Sequence, residues 1–277
     1  MSNYAIYQPK GKAGEYAEWA CNFHVGCSND CSYCYCKKGV LAHAMGGKTA
    51  TLKKCFKDEN DALEVFEKEL KANLPELQKH GLFFTFTSDP FLPETTLLTQ
   101  QAARLCLIHD VPVKFLTKRT DWHIDEFIRK VHENGTIWNY KPKMHLLAFG
   151  FTLTGHDELE PGASANAERI EAMKKLHNAG FKTFASIEPI VRLGSSFEMI
   201  CATNGFCDQY KIGLESGKKY NKSELNRFIR GVIEQVEFYG AKIYFKDSLL
   251  KAAGIERSYL PSNCVSRDFD IFNYLKP

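Results

Sequence analysis

Trp19-Ala20-Cys21-Asn22-Phe23-His24-Val25-Gly26-Cys27-Ser28-Asn29-Asp30-Cys31-Ser32-Tyr33-Cys34-Tyr35-Cys36 is a strand-like run that empties into a cysteine loop. Cys27, Cys31 and Cys34 stand in a C-x3-C-x2-C spacing. Thiolates hold iron–sulfur clusters, and a compact loop supplying three rather than four leaves one iron open to a ligand other than protein. Zinc is the alternative. A structural zinc site wants a fourth ligand, which Cys36 or His24 would supply locally. Disulfides are disfavoured, because ten cysteines in 277 residues is sparse beside small secreted scaffolds. The opening Met1-Ser2-Asn3-Tyr4-Ala5-Ile6-Tyr7 is polar and aromatic and does not read as a secretory leader.

Outward from the loop, short β-branched and aromatic runs alternate with segments whose apolar residues recur at helical spacing. That alternation argues for parallel strands joined by crossover helices. Trp19 to Phe23 is the first strand, and Leu63, Phe66, Leu70 and Leu74 mark one face of a helix that stops near Gly81. Leu82 to Thr87 reads as the second strand, with a helix through Leu97 to Ile108. Val113 to Thr117 is the third, and Ile124, Phe127, Ile128 and Val131 form the stripe of the next helix. A fourth strand is expected from near Met144 to Leu153, followed by a helix lined by Ile170, Met173 and Leu176 and capped at Gly180. Phe181 to Ile187 and Gln209 to Leu214 are the fifth and sixth strands. Ser223 reads as the N-cap of a helix carrying Leu225, Phe228, Ile229, Val232 and Val236, with a short seventh strand at Ala241 to Phe245. Six such units predict an α/β fold, a partial (βα)6 TIM-type barrel of parallel strands with outer helices. Ligands in such folds sit at the carboxyl ends of the strands, so the polar residues just after each strand are the binding candidates.

A chain of 277 residues that is 44 % apolar can bury one large core without metals or disulfides. The expectation is a single domain over 1–277, with its core at about 17–246 and short extensions at both ends. No apolar run approaches the roughly 20 residues a membrane span needs, so no membrane role is expected. A reducing cytoplasm suits an oxygen-sensitive cluster. The net charge of +3, from 36 basic and 33 acidic residues, is too balanced to identify a nucleic-acid binder. Its distribution says more: Lys37, Lys38, Lys48, Lys53, Lys54 and Lys57 precede the first acidic residue of that stretch, Asp58. Such a segment would face a polyanionic substrate or an acidic electron donor such as a flavodoxin or ferredoxin, or simply be a solvated loop.

The cysteine spacing resembles the signature of the radical S-adenosylmethionine enzymes. Thr87-Ser88-Asp89, Thr117-Lys118, Phe151-Thr152-Leu153-Thr154, Leu159-Glu160-Pro161-Gly162-Ala163, Glu168-Arg169-Ile170 and Ala179-Gly180 are similar to the spore photoproduct lyase branch of that family, over roughly residues 20 to 195. The resemblance implies a 4Fe-4S cluster on Cys27, Cys31 and Cys34, S-adenosylmethionine chelated to the open iron, and its reductive cleavage to a 5′-deoxyadenosyl radical that abstracts hydrogen from a substrate. By the same resemblance Ser88 and Asp89 hold the methionine amino group, although standing before Pro90 they could instead simply shape a turn, and Lys118 pairs with the methionine carboxylate. Thr152 or Thr154 bonds to that carboxylate or to the ribose. Arg169 adds a second cation or braces Glu160, and Tyr33 lies near the adenine. Glu188, in Ser186-Ile187-Glu188-Pro189 after the fifth strand, contacts cofactor or substrate, or only ends the strand. One departure is visible. Spore photoproduct lyases carry a hydrogen-donating cysteine before the matching Thr-Ser-Asp run, where this chain has Phe86.

Three functions follow. The first is radical hydrogen abstraction from an unidentified substrate, with nucleic acid or a nucleotide the class that analogy favours. The second is radical modification of a peptide or small metabolite. The third, from another class, is a non-catalytic iron–sulfur or zinc-binding regulatory protein. Cys21, Cys36, Cys55, Cys106, Cys201, Cys207 and Cys264 are left over. They offer a substitute hydrogen donor, an auxiliary cluster on Cys201, Cys207 and Cys264, or small buried hydrophobes.

Overall fold

The computed structural model describes residues 4–138, 140 and 143–274, so Met1 to Asn3 of the opening stretch lie outside it. The strands are β1 (Ile6–Tyr7), β2 (Ala20–Cys21), β3 (His24–Val25), β4 (Thr51–Leu52), β5 (Leu82–Phe84), β6 (Val113–Thr117), β7 (Leu147–Thr152), β8 (Lys182–Ile190), β9 (Gln209–Leu214) and β10 (Lys242–Phe245). The helices are α1 (Leu41–Met45), α2 (Glu59–Ala72), α3 (Leu74–His80), α4 (Thr96–Ile108), α5 (Ile124–Asn134), α6 (Asn166–Asn178), α7 (Leu193–Thr203), α8 (Lys222–Glu237) and α9 (Asp247–Ala253). The large sheet runs β1-β2-β5-β6-β7-β8-β9-β10. Every neighbouring pair in it is parallel except β1–β2, so β2 to β10 form an open barrel of seven parallel strands, the seventh being the short one expected near 241–245.

Strand residues alternate between two cores. Phe84, Phe115, Phe149 and Ala185 point outward to the helices, where Phe66, Phe91, Trp122, Phe127 and Phe181 complete an aromatic layer. Phe83, Ala148 and Phe184 point inward, into a smaller cluster with Tyr16, Ala20 and Ile271. The inner face is crowded: a Cβ on Gly150 would sit 2.2 Å from the Phe184 ring. Phe269, Ile271 and Phe272 pack into the amino end of the barrel. Residues 10–16 bridge its open side, where Lys211 Nζ donates to the Tyr16 carbonyl at 2.7 Å and Lys246 Nζ to the Lys12 carbonyl at 3.2 Å.

Local sequence accounts for most differences from expectation. The helix expected to run on to Gly81 breaks at Asn73, because Pro75 opens α3 and lacks the N–H a continuous helix needs. Asn221, not Ser223, caps α8: its side chain accepts from the amides of Ser223 and Glu224, and Ser223 lies inside the helix. The fifth strand does not end before Glu188. It continues to Ile190 past a register shift, which puts Glu188 on the strand. The expected first strand splits into β2 and β3, and β3 pairs with β4 as a separate antiparallel ladder.

Candidate functional site

The β3–β4 ladder fixes both ends of the cysteine loop. Cys27 N donates to the Gly47 carbonyl at 3.0 Å, and a Cβ on Gly26 would lie 2.3 Å from the Thr49 carbonyl oxygen. From the other side the 157–163 segment grips the loop, Ser32 N donating to the Leu159 carbonyl at 2.9 Å and Gly162 N to the Asn29 carbonyl at 3.1 Å. Cys27, Cys31 and Cys34 thereby line a cavity of about 480 Å³ at the carboxyl ends of the parallel strands. Thr85, Ser88, Asp89, Lys118, Thr152 and Glu188 share that lining.

Two buried oxygens in the cavity have no hydrogen-bond partner among the described residues: Asn29 Oδ1 and Ser88 Oγ. Asp89 is not free in the same way. Its Oδ1 accepts from Thr117 Oγ1 at 2.6 Å and Phe91 N at 3.0 Å, and its Oδ2 from Asn29 Nδ2 and Lys118 N, both at 2.8 Å. A carboxylate has about four lone-pair sites, and all are taken. These bonds favour the turn-shaping role for Asp89 over the ammonium one: it holds the turn at Pro90 and pins Asn29, whose Oδ1 is the open acceptor. Sequence reasoning missed Asn29, since an asparagine between two cysteines gives no signal of its own.

Of the alternatives left open for Arg169, the geometry favours the brace on Glu160, and of Thr152 and Thr154 only Thr152 lines the cavity. Arg169 is fully buried, donating Nε to the Ser164 carbonyl (2.7 Å), Nη1 to the Thr152 carbonyl (2.8 Å) and Nη2 to Glu160 (2.6 Å). Thr154 is fully buried behind the cavity wall and donates to Glu160 at 3.3 Å. Glu160 also accepts the Tyr33 hydroxyl. These residues brace the cysteine loop from outside the cavity, whereas the Lys118 Nζ lies 5.7 Å from the Tyr33 ring centroid inside it. Burial works against the Lys118 ammonium, but the negative charge of Cys31 and Glu160 outweighs it and raises its pKa.

The thiols differ. Burial pushes Cys27 up to about 12 and raises Cys31, whereas a hydrogen bond from Cys36 holds Cys34 down to about 6. Cys36 lines the cavity too, with its Sγ 3.8 Å from the Phe86 carbonyl oxygen. Among the described residues, no three of His24, Cys27, Cys31, Cys34 and Cys36 bring ligand atoms within 4.8 Å of one another, as a single tetrahedral zinc would require. Three thiols on one loop, all lining the cavity, suit a cluster whose irons occupy separate corners. The donor set therefore fits an iron–sulfur cluster, and the two orphaned oxygens beside it fit a ligand that presents hydrogen-bond donors.

The far wall holds a charged group that the sequence did not reveal. Lys246 Nζ lies 3.0 Å from Glu188 and 3.3 Å from Glu15, and the Tyr16 hydroxyl donates to Glu188 at 2.8 Å and meets Ser186 Oγ at 2.6 Å. Gly213 makes room for the pair, since a Cβ there would meet both side chains at 2.7 Å. Glu188 thus faces the cavity opposite the cysteines. Of the leftover cysteines, Cys21, Cys106 and Cys207 are buried in the main core. Lys53 leaves the supposed basic surface, being buried and bonded to the Tyr4 carbonyl at 2.6 Å, and Lys37 pairs with Asp30.

A family model described as the radical SAM superfamily matches residues 21–207. A spore photoproduct lyase complexed with dinucleoside spore photoproduct superposes with a TM-score of 0.61 at 19 % identity, over 87 % of this chain and 79 % of that one. Streptococcus suis SuiB bound to S-adenosylmethionine gives 0.53 at 13 % identity, over 83 % of this chain and 50 % of that one. At such identities the likeness is one of fold. No curated protein sequence matches the chain, and no helix among the described residues is long and apolar enough to cross a membrane.

Proposed function

Because the chain belongs to the radical SAM superfamily and is a radical SAM enzyme, we propose that Cys27, Cys31 and Cys34 hold its 4Fe-4S cluster and that its S-adenosylmethionine lies in the adjoining cavity. The observation that carries this is the convergence of three thiols and two orphaned acceptors on one cavity at the strand ends. When bound, cluster and cofactor together supply a 5′-deoxyadenosyl radical for hydrogen abstraction. Asn29 Oδ1 and Ser88 Oγ accept from the methionine ammonium, Lys118 offers a cation to the methionine carboxylate, and Thr152 supplies a hydroxyl beside it. Tyr33, held by Glu160, packs near the adenine. Tyr16, Ser186, Glu188 and Lys246 are left to the substrate, because they form the wall away from the cysteines.

The substrate class that the mouth supports best is nucleic acid or a nucleotide. Lys10, Lys12 and Lys38 line the cavity together with Tyr35 and Phe86, while Lys37 is paired with Asp30. Phosphates take the cations and bases take the rings. Phe86 stacks on Phe83 at 4.6 Å and brings no sulfhydryl to the cavity, so dimer reversal through a thiol at that position is not proposed. A flavodoxin- or ferredoxin-type protein is the proposed electron donor.

The test is anaerobic incubation of the reconstituted protein with S-adenosylmethionine and dithionite, then with deuterated nucleotides and oligonucleotides. Formation of 5′-deoxyadenosine should vanish in Cys27→Ala, Cys31→Ala and Cys34→Ala, persist in Cys36→Ala, and carry deuterium from the true substrate class. Iron retained in Cys27→Ala but lost in Cys36→Ala would overturn the ligand assignment. Deuterium taken up only from peptides would overturn the substrate class.

A further inference from the structure

A second groove opens beside the cavity, between α7 and α8 and under the 215–221 loop that follows β9, with a volume of about 710 Å³. Its charge is one-sided: Arg192, Lys218, Lys219 and Arg227 line it against one carboxylate, Glu224. All four cations are exposed. Half-buried Phe197 and Tyr220 lie among them above the buried Phe228, with bare backbone at Gly194, where a Cβ would meet nothing within 4 Å. Tyr220 is held in place, its hydroxyl donating to the Ile190 carbonyl at 2.6 Å and accepting from Glu215 N at 3.2 Å. Lys218 Nζ lies 5.5 Å from its ring centroid.

The groove and the cavity are lined by successive parts of one segment. Leu214, Glu215 and Ser216 line the cavity while Lys218, Lys219 and Tyr220 line the groove, and Lys12 Nζ donates to Ser216 Oγ at 2.9 Å. Lys10 and Lys12 line the cavity, and Arg192, Lys218, Lys219 and Arg227 line the groove. The cysteine loop follows β3 near the β2 end of the sheet, whereas the groove is lined by the segments after β8 and β9 and so lies apart from the cysteines.

We infer that this groove holds a single-stranded polynucleotide whose next residue enters the cavity; the inference rests on the nucleic-acid reading above. A line of cations tracks a phosphate backbone, and interleaved rings stack unpaired bases without regard to sequence. A duplex would satisfy the cations but leave the apolar floor uncovered, since its bases face each other.

The experiment is fluorescence anisotropy of labelled dT16 against the reconstituted enzyme across a salt series. In the triple variant Arg192→Gln, Lys219→Gln, Arg227→Gln, affinity should fall roughly tenfold or more, and the salt slope should drop by up to about 2, at about 0.7 per phosphate contact on a single strand. Arg192→Lys with Arg227→Lys should keep most of the binding, and 5′-deoxyadenosine formation without substrate should be unchanged in all of these variants. A triple variant that binds dT16 like wild type, while Lys10→Gln with Lys12→Gln weakens it, overturns the groove and leaves the nucleic-acid reading standing. Wild type that shows no salt-dependent binding of dT16 overturns both. Displacement of dT16 by poly-glutamate as effective as by unlabelled dT16 overturns the groove as a polynucleotide site.

Discussion

Asn29 and Asp89 divide between them a task that the sequence assigns to Asp89 alone. The carboxylate takes four donors from the protein, and one of them, Asn29 Nδ2, fixes the orientation of the Asn29 amide and leaves its Oδ1 without a protein partner among the described residues. A hydrogen bond to a charged group contributes about 1.5–3 kcal/mol, so Asn29→Ala should raise the dissociation constant for S-adenosylmethionine roughly 10- to 150-fold. Ser88→Ala should act in the same direction, and both variants should keep their iron. Calorimetric titration checks this; wild-type affinity in both variants would empty the cavity of its proposed acceptors. The same count of bonds explains why Asp89, legible as a strand-end carboxylate, is not legible as a clamp. Its partners Asn29 and Thr117 come from loops and strands far away in sequence.

At the scale of elements, the cysteine loop owes its shape to two neighbours. The β3–β4 ladder closes its base, and the 157–163 segment presses on its crest so closely that a Cβ on Gly162 would lie 1.9 Å from the Ser28 carbonyl oxygen. That contact is backbone on both sides and cannot yield by a rotamer change. Gly162→Ala should therefore push the loop away, costing about 1–3 kcal/mol by the usual scale of overpacking. Iron content after reconstitution should fall and the urea midpoint should drop. A variant that loads full iron with an unchanged midpoint would show that the two segments do not need this contact. The buried Arg169–Glu160 pair at 2.6 Å, with the Tyr33 hydroxyl on Glu160, secures the same junction from beneath.

On the scale of the whole molecule, the barrel interior carries lysines where an apolar filling would be ordinary. Lys211 is buried, bonds to the Tyr16 carbonyl and lies 5.0 Å from the Tyr16 ring centroid. Burial, then the nearby charges of Lys114 and Lys246, hold its pKa well below that of a free lysine. The unfolded chain, titrating near about 10.4, then binds the proton more readily than the folded one. The cost of burying Lys211 is full below its folded value and declines as pH rises toward the unfolded value. Lys211→Met removes that cost, so its gain in stability over wild type should be largest at the low-pH end and shrink as pH rises toward about 10. Urea unfolding of both proteins across that range checks the sign; a difference that grows with pH would contradict the buried ammonium.

The sequence by itself determined the family, the parallel α/β order of elements and the three thiols, because each rests on local information: a spacing of three and two residues between cysteines, and apolar periodicity within single strands and helices. It also marked Ser88, Lys118 and Thr152, which follow or end strands, and Glu188, which lies within β8, and all four line the cavity. Tertiary structure alone decided the rest. Whether a polar side chain is open or spent depends on donors that arrive from other elements, which is why Asp89, Thr154 and Arg169 turned out to be braces and Asn29 an open acceptor. The basic stretch after the cysteines lost Lys53 to the interior, while Arg192 at the start of α7, Lys218 and Lys219 in the loop after β9 and Arg227 on α8 were assembled into one groove. Charge acts through space, and only the packing of α7 against α8 sets those distances.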